Sequence, residues 1–291
     1  MARLRSVLAP PSAHRYSTAL SLALIAPWLL LLVVGFVYPV AKLLAGSLFD
    51  PGFTLVHYQR IFEQPLYLKI LWRTIQIAFV VTVGAFILGY PVAYAMARLS
   101  GRWAIIVAAC VLIPLWTSIL VRSYAWIVLL QRNGLVNNLL TEVGVISEPL
   151  RLIYTEGAVI VAMTHVLLPF MILPVFSTVR SIPDELPKAA LNLGAGRMTV
   201  FLKVILPLSL PGVFAGALIT FILALGFYIT PALVGGPSTL MMATLIGQQT
   251  TGLLNWPFAG ALSAVLLIVT LVLAVAFRRA LAFSRGFHDV G

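Results

Sequence analysis

The residues in this chain that could do chemistry are few and widely spaced. Arg122 is the single charge in an apolar run from Trp103 to Leu130. A guanidinium there could line a water-filled path and meet a solute, or it could snorkel outward or brace a helix carbonyl. Trp116, Tyr124, Trp126, Phe227 and Tyr228 could wall a path for a cation or an amine. Equally, they could serve as interfacial anchors or packing aromatics. His165, followed by Pro169 and Pro174, suits a hydrogen-bonded packing histidine on a kinked helix, tolerable where freed carbonyls face protein or water. The sequence holds no Gly-x-x-x-x-Gly-Lys-Ser/Thr loop, no His-Glu-x-x-His and no Gly-x-Ser-x-Gly, so no residue is assigned a catalytic role. Cys110 is the only cysteine, which excludes an intrachain disulfide and a cysteine-based metal site, and no metal site is expected.

Composition says what must position these residues. The 291 residues are 61% hydrophobic and 9% charged, with a mean hydropathy of +1.06. A soluble domain carries about a quarter charged residues, so the chain is expected to be an all-α integral membrane protein. Residues 16–41, 74–97, 157–179 and 204–277 are free of charge. The last run is too long for one helix and has its breakers and amides in the middle, at Gly235-Gly236-Pro237-Ser238 and Asn255-Trp256-Pro257. With the Trp103–Leu130 run, this predicts six transmembrane helices at about 17–42, 73–97, 104–130, 157–180, 208–234 and 258–278. They form a single transmembrane domain over 1–291.

The net charge of +11 has a direction. With both termini cytoplasmic, the inner segments hold Arg3, Arg5, Arg15, Arg98, Arg102, Arg180, Lys188, Arg197, Lys203, Arg278, Arg279 and Arg285 against Asp184, Glu185 and Asp289. The outer segments are nearly balanced in sign, as the positive-inside rule requires. No basic stretch is interleaved with aromatics on a polar face, so no nucleic acid is expected among the partners. The first apolar run is too long for a signal-peptide core and is read as a retained helix.

The longest polar insertion lies between the fourth and fifth spans. Pro183, Asp184 and Glu185 make a helix start, and Gly194 or Gly196 can supply the positive φ that ends it. A second short helix is expected from Arg197 to near Pro207. The pair forms either a basic knob projecting into the cytoplasm or a surface helix lying among headgroups.

Here the sequence resembles a known family. Lys188-Ala189-Ala190, Gly194-Ala195, Phe201, Ile205, Leu206-Pro207 and Pro211-Gly212 are similar to the conserved cytoplasmic loop of ABC importer permeases, Glu-Ala-Ala, three residues, Gly, then Ile-x-Leu-Pro. Lys188 stands where that family has Glu, and a complementary acid on the partner would compensate. The segments around Trp116, Arg122-Ser123-Tyr124-Ala125-Trp126, Thr230-Pro231-Ala232 and Trp256-Pro257-Phe258 resemble the first permease subunit of spermidine/putrescine-type importers.

The resemblance implies a type I importer permease fold and a bacterial inner-membrane location. It implies a coupling loop at 181–207 that docks an ATPase through Asp184, Glu185, Lys188, Ala189, Ala190, Gly194, Ala195 and Arg197. The implied partners are a second homologous permease, two ATPase subunits, a periplasmic solute-binding protein and the lipid bilayer. No cofactor belongs to this chain, since ATP and Mg would be bound by the partner ATPase. The expected function is import of a small polar solute, a polyamine or a related amine or organic acid. No acid lies within the six predicted spans to meet a polycation, and Arg122 would equally suit an anionic or zwitterionic solute. The alternative is an ATP-independent channel or an ion-coupled secondary transporter, and ion coupling generally uses a membrane-embedded acid.

Overall fold

A computed structural model describes residues 18–49 and 52–286. Arg3, Arg5, Arg15, Asp50 and Asp289, on which part of the charge asymmetry rests, lie outside them. The described chain is helical: α1 (Thr18–Leu32), a π turn (Val33–Val37), α2 (Tyr38–Gly46), α3 (Val56–Glu63), α4 (Pro65–Arg98), α5 (Gly101–Trp116), α6 (Ile119–Leu130) and α7 (Leu135–Glu142). Then follow α8 (Glu156–Ser181), α9 (Glu185–Asn192), α10 (Arg197–Val200), a π turn (Phe201–Ile205), α11 (Leu206–Leu225), α12 (Ile229–Val234), α13 (Met242–Gly247) and α14 (Trp256–Gly286). Among the described residues, five helices are long and apolar enough to cross a membrane, or six if the bent pair α5 and α6–α7 is one span.

The fourth predicted span coincides with α8, while helix over the first continues past Lys42 to Gly46 and α14 continues past Arg278 and Arg279 to Gly286. The second span is longer than the predicted 73–97. Lys69 and Arg73 sit inside α4, whose 34 residues extend well beyond a hydrocarbon core of about 30 Å.

The third span is not the straight helix predicted over 104–130, because α5 and α6 meet at a 102° bend. Pro114 has no N–H to give the preceding turn, and Thr117 turns its Oγ1 back to the Pro114 carbonyl at 2.8 Å. Thr117 and Ser118 are then extended.

The fifth span does not run from 208 to 234. It begins at Arg197 and ends at Leu225, so the expected second short helix is the first part of this span. Pro207 was expected to end a helix. Instead it falls in the first turn of α11, straight after a π turn that re-routes the hydrogen bonds its ring would have broken.

The core is a trio of α4, α8 and α11. Ala85, Ala93, Met96 and Ala97 of α4 face Met171, Ile172, Val175 and Val179 of α8 and Val213 of α11. Close approach rests on glycines. A Cβ on Gly212 would lie 2.6 Å from the Pro174 carbonyl oxygen, and one on Gly216 would lie 3.0 Å from that of Met171. The first span stands apart: none of its apolar window is buried, although the Leu43 carbonyl lies against Gly260 of α14.

Candidate functional site: the elbow and the broken third span

At one end of the bundle, residues 181–205 form an elbow. Pro183, Asp184 and Glu185 do start α9, but the Asp184 carboxylate does not cap it. It accepts a hydrogen bond from Arg98 Nη1 of α4 at 2.8 Å instead. Of the two glycines that could end α9, Gly194 does so, with φ +87°, while Gly196 is extended at φ −67°. The Ala195 N–H returns to the Ala190 carbonyl at 3.1 Å and closes the turn.

The expected docking residues divide into two faces. Ala190 and Ala195 pack inward with Ile182, Val200 and Ile205. Glu185, Lys188, Ala189, Gly194 and Arg197 point to solvent beside exposed Leu186, Leu191 and Met198 and the almost fully exposed Leu193 (88%). The outer face of the elbow is therefore an apolar patch dotted with both signs of charge. Apolar residues so placed call for a cover.

Sequence reading missed the anchoring of this elbow. Arg180 Nη1 donates to the Ala97 carbonyl at 3.2 Å, and Phe201 packs edge-on between Tyr90 and Tyr94, 5.8 Å from each ring centroid. The available signal was the fourfold spacing of Tyr90, Tyr94 and Arg98.

The expected path residues do not form one cluster. Arg122 and Trp126 lie one turn apart on α6, and the Trp126 indole N–H donates to His165 Nδ1 at 3.3 Å. His165 is thus the hydrogen-bonded histidine that its setting suggested. Arg122 Nε and Nη1 are sealed from solvent and have no hydrogen-bond partner. Trp116 at the bend is 90% exposed, and Tyr124 is half exposed. Phe227 packs against the core of α4 and α8. Tyr228 lines a separate cavity of about 460 Å³ with Pro231, Gly235, Thr244 and Gln248. Ser123 Oγ lies 2.9 Å from Thr230 Oγ1, so α6 and α12 are stitched together. At this end Arg73 bonds the Ser238 carbonyl and lies 3.9 Å from Glu156, joining α4 to α8 and to the α12–α13 segment.

The arrangement is a bundle with a broken span and a half-buried Arg122 near one end, and an elbow with an exposed apolar face at the other.

Residues 85–285 match the family described as the binding-protein-dependent transport system inner membrane component. The chain is 34% identical over 239 residues to the spermidine/putrescine transport system permease protein PotB of Salmonella typhimurium, covering 82% of this chain and 83% of that one. It is also 34% identical to the inner membrane ABC transporter permease protein YdcU of Escherichia coli, over 77% of this chain and 75% of that one. In fold it is similar to a bacterial ABC transporter for the acidic polysaccharide alginate, with a TM-score of 0.74 at 16% identity over 90% and 94% of the two chains. It is likewise similar to the MetNI methionine ABC transporter, with a TM-score of 0.59 at 22% identity over 75% and 95%. The chain therefore belongs to the binding-protein-dependent ABC importer permeases, as a multi-pass inner membrane subunit.

Proposed function

We propose that this chain is half of a two-permease pore that takes a small polar solute from a periplasmic binding protein, driven by two ATPase subunits docked on the elbow. The observation that carries the reading is the elbow's outer face. Leu186 and Leu191 of α9, Leu193 of the turn and Met198 of α10 are exposed around Lys188 and Arg197, while Ala190 and Ala195 pack behind them against Ile182, Val200 and Ile205. A soluble partner with an apolar groove and an acidic rim fits that face better than headgroups do, because Leu193 stands at the tip of the turn. Lys188 then faces an acid on the ATPase, in place of the Glu usual at this position.

The excess of basic residues in the segments on the elbow's side supports an orientation with the elbow and both termini in the cytoplasm. ATP and Mg belong to the partner, and this chain contributes no catalytic group. The first span, exposed except where its end meets α14, and the open side of α14 are the surfaces on which the second permease and lipid would close. The solute is proposed to be a polyamine or a related amine or organic acid, from the likeness to PotB. Arg122 opposes a bare polycation passing beside α6, which favours an amine that also carries a carboxylate.

Co-purification tests the proposal. Co-expressed with its ATPase, the chain should retain that subunit through detergent extraction, and solute uptake should stop when ATP is depleted. Uptake by the chain alone, persisting without ATP and collapsing with the membrane potential, would establish the channel or ion-coupled alternative.

A further inference from the structure

Phe86, Tyr90, Tyr94 and Arg98 recur every fourth residue of α4, so they stand in one row down one face, about 6 Å apart. The row is continuous. The Phe86 and Tyr90 centroids are 5.7 Å apart, Tyr90 and Tyr94 each meet Phe201 edge-on, and the Arg98 guanidinium lies 5.8 Å from the Tyr94 ring.

The elbow end of the row holds both arms of the elbow. Arg98 bonds Asp184, the residue that leads into α9. Phe201 opens the π turn by which the chain leaves the elbow, and the Tyr90 hydroxyl lies 2.9 Å from Ser209 Oγ in α11. At its other end, Phe86 lines a groove of about 520 Å³ between α4, α11 and α14.

We propose that this row is the third attachment of the elbow, and that it makes the tilt of the elbow move α4 rather than swing freely. The inference rests on the reading of the elbow as the ATPase-docking element. The chain itself ties the elbow to α8 through residues 182–184 and to α11 through residues 195–205. Two attachments leave a body free to rotate about the line that joins them, and a third off that line removes the freedom. Residues 86–98 supply the third from a helix distant in sequence. A close-packed interior moves only where there is volume to move into, and the groove beside Phe86 provides it. The π turn at Phe201–Ile205 is a second place where the geometry can give, since it carries one surplus residue. Arg98, Tyr94 and Tyr90 are thus positioning residues for transport.

The test uses the complete transporter with its ATPase subunits in nanodiscs. Cys110→Ser removes the native thiol, Leu66→Cys, exposed at the end of α4 away from Arg98, reports on that helix, and maleimide labelling is timed with and without ATP and vanadate. In the parent, trapping with ATP changes the labelling rate. Arg98→Asp or Asp184→Arg alone should shrink that change about three-fold, within what an exposed ion pair can supply. The double reversal should restore it. Tyr94→Leu should match the single reversals, and Tyr94→Phe should match the parent. A separate Met198→Cys cross-link to the ATPase should persist in every variant. Single reversals that respond like the parent, or a double reversal no better than either single, would overturn the proposal. Absence of the Met198→Cys adduct in the parent would instead remove the docking reading, and the third attachment with it.

Discussion

Gly194→Ala isolates the elbow's shape from its contacts. Gly194 has φ +87°, and a Cβ added there would meet nothing within 4 Å, so the whole cost is backbone strain. A left-handed residue other than glycine costs about 1–2 kcal/mol, which is a shift of about 5- to 30-fold in the population of the closed turn. The neighbouring Gly196 is the control, because its Cβ would also meet nothing but its φ of −67° is open to any residue. Gly194→Ala should therefore raise amide hydrogen exchange across 185–195 by about that factor. It should lower transport per ATP hydrolysed while the melting temperature of the complex stays put. Gly196→Ala should do neither. Equal behaviour of the two variants would show that the turn at Gly194 does not set the elbow's function.

Other sites give further expectations. Gly212→Ala would drive a Cβ to 2.6 Å from the Pro174 carbonyl and prise α11 from α8, costing about 1–3 kcal/mol. Fluorescence-detected melting of the complex should fall, while Gly226→Ala, which meets nothing, should leave it unchanged. Arg122→Met removes two sealed nitrogens that lack partners, so the complex should melt no lower than the parent while uptake changes. A lower melting temperature with unchanged uptake would make Arg122 a packing residue. Asn137 is fully buried and binds the Leu150 N–H and carbonyl at 2.9 Å each. Asn137→Ala should cost about 1–3 kcal/mol locally and speed proteolysis of residues 143–152.

Where a single chain settles its own energetics, the sequence was readable. Charge-free runs located the fourth span almost to the residue, because a helix in hydrocarbon can satisfy its backbone only within itself. The turn glycine was narrowed to two, of which Gly194 takes the positive φ. Counting charges failed at the span ends, where Lys69, Arg73, Arg197 and Lys203 continue helices past the hydrocarbon. It failed again at Thr117, where a side chain competes for the Pro114 carbonyl within an unbroken apolar run. The path aromatics scattered for a related reason: the bend carries Trp116 and Arg122 onto different limbs, and spacing along one straight helix no longer describes them.

Leu193, at the tip of the turn and nearly bare, is the place to ask whether the elbow meets an engine. A photo-crosslinking amino acid substituted there in the complete transporter should give one dominant adduct, with the ATPase subunit. The same group at Leu254, exposed at the opposite end, should give none with it. An ATPase adduct from Leu254, or only lipid adducts from Leu193 in a transporter that still hydrolyses ATP, would contradict the coupling role of the elbow.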